Sequence, residues 1–271
     1  MRVLVKVGGA QLEQAEPRAA LARSLARAKA AGNELVVVHG GGNQIREHVR
    51  KLGLEERYHA GLRVTDAATA DVVTMVLAGL VNKELVLALN AEGLRAAGLS
   101  GADGESFSVA KTPAAVDLGY VGSVAKADRA LVETLLEGAF TPVIATVAPL
   151  ARGERGPADH LYNVNADMAA GPLARVFECD ALLFLTDVPG VLDGAKRRLA
   201  TLTPARAAEL RAEGAITGGM IPKVEMALAA LAEFAALGGG LVKIAPAAGE
   251  DAVLAALQDS IGTRFVPDTA R

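Results

Sequence analysis

The sequence predicts an α/β protein, a three-layer αβα sandwich on a mostly parallel central sheet, and three observations carry that prediction. Short β-branched runs alternate along the chain with Ala- and Leu-rich helical patterns, the order expected when helices cover both faces of a parallel sheet. Hydrophobic residues make up 51% of the 271 positions and charged residues 22%, enough apolar surface for a sizeable core. No internal repeat or low-complexity linker divides the chain. One continuous sheet is therefore expected in a single domain over 1–271, with an N-lobe over about 1–172 and a C-lobe over about 173–271.

The first unit is the strand Val3–Val7, a helix from Pro17 to Ala31 and the strand Glu34–Val38. Pro17 suits a first helical turn, and Gly32 suits the left-handed residue that ends a helix. A shorter helix, Asn43–Leu52, follows Gly40–Gly42, and an irregular stretch runs to Thr65. The helix Ala67–Glu92 comes next, capped by Thr65 or Asp66, with Val72, Met75, Val76, Gly79, Leu80 and Leu87 at helical spacing. From Gly93 to Gly122, extended pieces such as Ser106–Lys111, punctuated by Gly, Asp and Pro, read as hairpins. Helix Asp128–Gly138, strand Pro142–Val147 and a polar glycine-rich loop over 152–160 complete the first part. The second comprises helix 166–178, strand 181–186, a hairpin from Gly190 to Leu202, helices 204–213 and 220–237, strand Leu241–Ala245 and helix 250–258.

The charge balance excludes several function classes. With 28 Lys+Arg against 31 Asp+Glu and no basic tract, there is no general field for nucleic acid or anionic lipid. The single cysteine, Cys179, cannot form an intramolecular disulfide; beside the apolar run Ala181–Leu185 it reads as a buried, inert thiol. The N-terminus enters a strand directly with no secretory pattern, and Asn82-Lys83-Glu84 breaks the apolar runs 76–81 and 85–89. The expectation is a cytoplasmic protein without a membrane or nucleic-acid partner.

Two glycine turns and two lysines point to phosphate chemistry. Lys6-Val7-Gly8-Gly9 ends the first strand, where parallel sheets bind ligands, and the glycines let backbone N–H groups approach an anion. Alone, Lys6 reads equally well as a lysine snorkelling to solvent. His39-Gly40-Gly41-Gly42 ends the second strand and opens directly into a helix, a backbone anion site with His39 as a structural hydrogen-bonding residue. Neither turn matches G-x-x-x-x-G-K-[ST] or G-x-G-x-x-G, which argues against P-loop ATPases and dehydrogenases.

Three further segments add polar groups. Arg63, in Gly61–Asp66, has the fork geometry for a substrate carboxylate. Asn163-Val164-Asn165-Ala166-Asp167 sets two amides and a carboxylate at a helix start, where Asn165 also suits an N-cap. Gly218-Gly219-Met220-Ile221-Pro222-Lys223 puts a lysine in a first helical turn, where the dipole disfavours it unless an anion compensates. No nucleophilic Ser, Cys or His arrangement accompanies them. A carboxylate acceptor needs none: with a pKa of about 4.3 it is already an anionic nucleophile at neutral pH, and what it requires is relief from repulsion by the polyphosphate.

Lys6–Gly9, His39–Gly42, Gly61–Asp66, Gly98–Gly104, Asp117–Gly122, Tyr162–Asp167, Thr186–Val191 and Ile216–Lys223 together are collinear with the motifs of one family. Over essentially its whole length the sequence resembles acetylglutamate kinases of the amino-acid kinase superfamily. The resemblance implies ATP-dependent phosphorylation of the side-chain carboxylate of N-acetyl-L-glutamate, giving an acyl phosphate for arginine biosynthesis.

It implies that Lys6 and Lys223 flank the transferring group and that Asp167 holds both. Gly41, Gly42, Arg63, Asn163 and Asn165 would bind the acceptor in the N-lobe, which also carries dimerisation. Gly8, Gly9, Thr186, Asp187, Gly190, Gly218, Gly219 and Met220, with both lysines, would bind ATP mainly through the C-lobe. Magnesium would be carried by ATP, with no metal ligand from the protein. Two departures stand out. Asn43 replaces a common proline. The chain also begins at its first strand, without the helix that links arginine-inhibited members into hexamers, which implies an arginine-insensitive homodimer. The competing readings are a kinase for carrier-protein-linked α-aminoadipate or glutamate and a non-catalytic ligand sensor on the same fold. Kinases of carbamate, aspartate or nucleoside monophosphates fit less well around Arg63.

Overall fold

The five residues after Arg2 in β1 (Arg2–Val7) are all buried, as a strand at the middle of a covered sheet must be. The computed structural model describes residues 1–235 and 239–268. After a 3₁₀ turn at Gly9–Leu12 come α1 (Ala15–Ala30), β2 (Glu34–His39), α2 (Gly42–Lys51) and a two-stranded hairpin of β3 (Tyr58–His59) and β4 (Leu62–Arg63). Gly32 takes the left-handed conformation expected of it, with φ 88°.

Then α3 (Ala67–Thr74), a π-helical segment (Met75–Val81) and α4 (Asn82–Ala91) run as one continuous helix. They are followed by β5 (Ala96–Ser100), β6 (Phe107–Lys111), β7 (Val121–Ala127), α5 (Ala130–Glu137), β8 (Thr141–Ala145), β9 (Val147–Ala148) and β10 (Tyr162–Val164). The remainder is α6 (Ala166–Val176), β11 (Ala181–Thr186), β12 (Thr201–Leu202), α7 (Pro204–Ala212), α8 (Met220–Ala235), β13 (Leu241–Pro246), α9 (Ala252–Leu257) and β14 (Thr263–Phe265).

One eight-stranded sheet, in the order β12-β14-β13-β11-β1-β2-β8-β5, runs through the molecule. Its pairings are parallel except β13 with β14. Strand alternation splits the core in two. Val3, Val5, Val7, Leu35 and Val37 pack with residues of α1, α2, the long helix and α9. Leu4, Val36, Val38, Leu182 and Phe184 pack with residues of α5, α6, α8 and the smaller sheet β6-β7-β10-β9. These two cores make the three layers.

Four expectations are corrected. β5 belongs to the main sheet, parallel to β8, and only β6 with β7 forms an antiparallel pair in the Gly93–Gly122 region. Its sequence, Ala-Ala-Gly-Leu-Ser, lacks the β-branched alternation that marks a strand. In the long helix, Met75, Leu80 and Leu87 are exposed while Leu77, Val81, Leu85 and Leu89 are buried. The wider π turn moves the buried stripe off the spacing of a regular helix. That helix is also continuous across Asn82-Lys83-Glu84, so by length and composition it could cross a membrane. Here it is a layer of the fold: Asn82 at its centre is fully buried and donates to His39 and to the Val143 carbonyl. Finally, the hairpin expected from Gly190 to Leu202 is confined to a small antiparallel turn over Val191–Leu199, with the Leu192–Arg198 bridge at its centre, and β12 beyond it pairs in parallel with β14, a strand too short for periodicity to reveal. Residues 236 and 237 of the helix expected over 220–237 lie outside the described residues.

Candidate active site

Residue parity places the first lysine. Val3, Val5 and Val7 face α1 and the long helix, so Leu4 and Lys6 project to the opposite side, where α6 packs. α6 begins beneath the carboxyl edge of the sheet. Its N-cap is Asn165, whose Oδ1 accepts from the backbone N–H groups of Asp167 at 2.9 Å and Met168 at 3.3 Å. This cap fixes the turn that carries Asp167.

Asp167 lies between both lysines. Its Oδ1 is 2.5 Å from Lys6 Nζ and its Oδ2 is 3.2 Å from Lys223 Nζ. Lys6 is 4% exposed, and the Lys223 side chain 25%. Burial pushes the Lys6 ammonium below its ordinary pKa, against the attraction of Asp167 and with the repulsion of Lys223. Burial acts to raise the Asp167 carboxyl, but the two lysines overcome it and hold the group below the usual carboxylate range. Two cations and one anion leave one net positive charge. The anion that a lysine in the first turn of α8 demands is Asp167.

The glycine turns converge on the same place. A cavity of about 290 Å³ is lined by Lys6, Gly8, Gly9, Gly40, Gly41, Gly42, Arg63, Asn163, Asn165, Asp167 and Lys223, together with Tyr58, Leu77 and Thr146. The turns touch: a Cβ on Gly9 would lie 3.4 Å from the Gly42 nitrogen, and Gln44 Nε2 donates to Gly9 O at 3.4 Å. No side chain caps α2, so its first N–H groups remain available to an anion. Gly41 is extended, with φ 175°, so its need is steric. A Cβ there would stand 2.7 Å from Leu77 Cδ2 and 3.2 Å from Val81 Cγ2, both in the π segment.

His39 is fully buried, and burial pushes it down to about 4. As the neutral ring it donates from Nδ1 to Gly40 O at 2.9 Å and accepts at Nε2 from Asn82 Nδ2 at 3.0 Å. It stabilises the second glycine turn and offers no base. Cys179 is buried, and desolvation pushes its thiol up to about 12, as an inert core thiol requires.

The far end of the cavity carries Arg63 and Asn163. Arg63 donates from Nη1 to Glu56 at 2.6 Å and from Nη2 to Gly42 O at 3.1 Å, and Asn163 Nδ2 donates to Thr65 Oγ1 at 3.4 Å. Asn165 lines the cavity with its Oδ1 committed to capping. Asn43 donates to Glu13 and accepts from Arg46 at 3.3 Å, bonds a proline side chain could not make.

Six sequence-selected residues do not line this cavity. Thr186 ends β11, bonded to Asp187 at 3.0 Å; Gly190 packs on Thr263; Gly218, Gly219 and Met220 lead into α8 ahead of Lys223. Conversely, Gln44, Glu56, Tyr58 and Thr146 belong to the site and were absent from the sequence reading. They sit in no glycine or lysine motif, and only the β3–β4 hairpin brings Glu56 and Tyr58 to Arg63. Among the described residues no group of three or more His, Cys, Asp or Glu side chains converges as a metal site.

Known proteins match this chain along most of its length. The sequence profile described as the amino acid kinase family matches residues 1–236. The acetylglutamate kinase of Halorhodospira halophila is 45% identical over 241 residues, covering 85% of this chain and 78% of that protein. The acetylglutamate kinase of Brucella anthropi is 46% identical over 240 residues, covering 84% and 79%. Among solved structures, smu.665 from Streptococcus mutans superposes with a TM-score of 0.80 at 27% identity, over 98% of this chain and 99% of that one.

Proposed function

Because this chain belongs to the amino acid kinase family, and within it to the acetylglutamate kinases, we propose that it transfers the γ-phosphoryl group of ATP to the side-chain carboxylate of N-acetylglutamate in arginine biosynthesis. A carboxylate oxygen bonds to the γ-phosphorus, the bond to the β,γ-bridging oxygen breaks, and ADP leaves with that electron pair. No proton moves, which accords with His39, behind the second glycine turn, being held neutral and structural. The observation that carries the reading is the Lys6–Asp167–Lys223 arrangement, with distances of 2.5 and 3.2 Å. Two cations held on one largely buried carboxylate are pre-positioned to stabilise charge on the transferring group.

In this reading Lys6 and Lys223 are catalytic, and Asp167 sets their spacing. The N–H groups of Gly8 and Gly9 receive the phosphates of ATP. The nucleotide extends over a C-lobe (about 173–271) past Thr186, Asp187, Gly190, Gly218, Gly219 and Met220. Magnesium arrives with ATP and neutralises phosphate charge. The N-lobe (about 1–172) holds the acceptor: Gly41 and Gly42 at the reacting end, Arg63 on the α-carboxylate, Asn163 and Asn165 near the N-acetyl group. The enzyme works in the cytoplasm as a homodimer. Support for the dimer comes from Met75, Leu80 and Leu87, apolar side chains exposed along the long helix, which a second copy would cover.

Trapping with hydroxylamine tests the reaction. ATP and N-acetylglutamate should give a hydroxamate, while free glutamate, carbamate and carrier-linked glutamate or α-aminoadipate give little. Preferential turnover of a carrier-linked acceptor, or none with any, would overturn the assignment. For the dimer, light scattering of the full chain should give twice the 27.7 kDa chain mass.

A further inference from the structure

Arg63 is fixed on three sides. Besides Gly42 O, its guanidinium meets Glu56 Oε1 at 2.6 Å, and its Cζ lies 4.9 Å from the centre of the Tyr58 ring. The Arg63 side chain is 6% exposed and Glu56 23%. Glu56 Oε1 accepts twice more, from Tyr58 Oη at 2.6 Å and from Arg46 Nε at 3.3 Å. One carboxylate oxygen therefore ties α2, β3 and β4 to the arginine. Of the five guanidinium N–H groups two are used, and three remain for a ligand.

Charge alone argues against a glutamate here, since it repels an entering carboxylate. Arg46 and Arg63 together still leave the cluster one positive charge. What Glu56 provides is orientation: an arginine held by a short charge-assisted bond, a backbone carbonyl and an aromatic face does not lose side-chain freedom when it binds. We propose that Glu56 is a positioning residue that fixes the plane of the Arg63 guanidinium and so sets affinity for the acceptor's α-carboxylate, without touching the reacting atoms. This rests on the assignment of Arg63 to that carboxylate.

The two physical effects predict opposite signs. If Glu56 only competed for Arg63, E56A would tighten acceptor binding. As a positioning residue, E56A raises the KM for N-acetylglutamate about tenfold, with kcat and the KM for ATP within about twofold of the parent. E56Q keeps an acceptor oxygen and restores KM to within about threefold. In an R63A background E56A has no further effect, because the two act as a unit. Should E56A not fold, Y58F carries the test by removing only a hydroxyl that holds Glu56, with KM rising about threefold. An unchanged or lowered acceptor KM in E56A, or an equal loss in kcat, overturns the proposal. An unchanged acceptor KM in R63A instead overturns the assignment of Arg63.

Discussion

Replacing Asp167 by Asn keeps its shape and removes the charge between Lys6 and Lys223. At 2.5 and 3.2 Å, and with an effective dielectric of about 20, the two attractions are roughly 7 and 5 kcal/mol before desolvation. After desolvation, breaking a buried pair by deleting one partner costs about 3–5 kcal/mol. Two lysines left to repel each other will not hold the transferring group, so kcat should fall about 100- to 1,000-fold, the usual loss of a preorganised electrostatic donor.

The pH profile gives a second readout with a definite sign. Lys6 already ionises below its ordinary value because burial outweighs Asp167, so activity falls as pH rises through that lowered value. D167N removes the raising influence, and the alkaline limb must move to lower pH. Coupled ADP-release kinetics from pH 6 to 10 measure both effects. A D167N enzyme within threefold of parental kcat, or an alkaline limb that stays or moves upward, refutes the reasoning.

Three other outcomes are expected. Gly41→Ala forces a methyl to 2.7 Å from Leu77, and overpacking of this kind costs about 1–3 kcal/mol, read as a lowered denaturant midpoint; an unchanged midpoint shows that the contact gives way freely. Asn165→Ala loses the cap of α6, about 1 kcal/mol, and should also lower kcat because the turn carrying Asp167 loosens; lost stability with intact kcat would separate cap from site. His39, lowered to about 4 from 6.5 in the unfolded chain, takes up its proton in the unfolded state first as pH falls. Its stability contribution is therefore complete above pH 6.5 and lost between there and about 4, so the parent's melting temperature should fall more steeply over that window than that of His39→Gln. Parallel curves would remove His39 as the cause.

The parts of the site legible in the sequence are those with a local signature. Lys6 and the glycine turns sit at strand ends, and Asp167 sits in a helix start whose cap is visible as Asn165, so chain order alone brought them to one sheet edge. Glu56 and Tyr58 left no such trace. β3 and β4 are two residues each, too short for any period, and the bonds among Arg46, Glu56, Tyr58 and Arg63 are tertiary. The misread stripe of the long helix has a different cause: the apolar residues were seen, but a π turn is not a pattern that fixed helical spacing can express.

That π turn has a consequence for how the chain tolerates changes of length. Its extra width lets residues on both sides of Met75–Val81 keep buried faces while Leu77 and Val81 press on Gly41. Deleting one residue from the segment would remove the residue that the wide turn absorbs, so a regular helix would join the same two flanks in phase, whereas deleting Thr74 at the end of α3 would rotate everything upstream by about 100° relative to α4. In that second case Val72 and Val73 would swing off the core, so a one-residue loss that the π turn can accommodate would, one position earlier, misalign a whole layer against the second glycine turn.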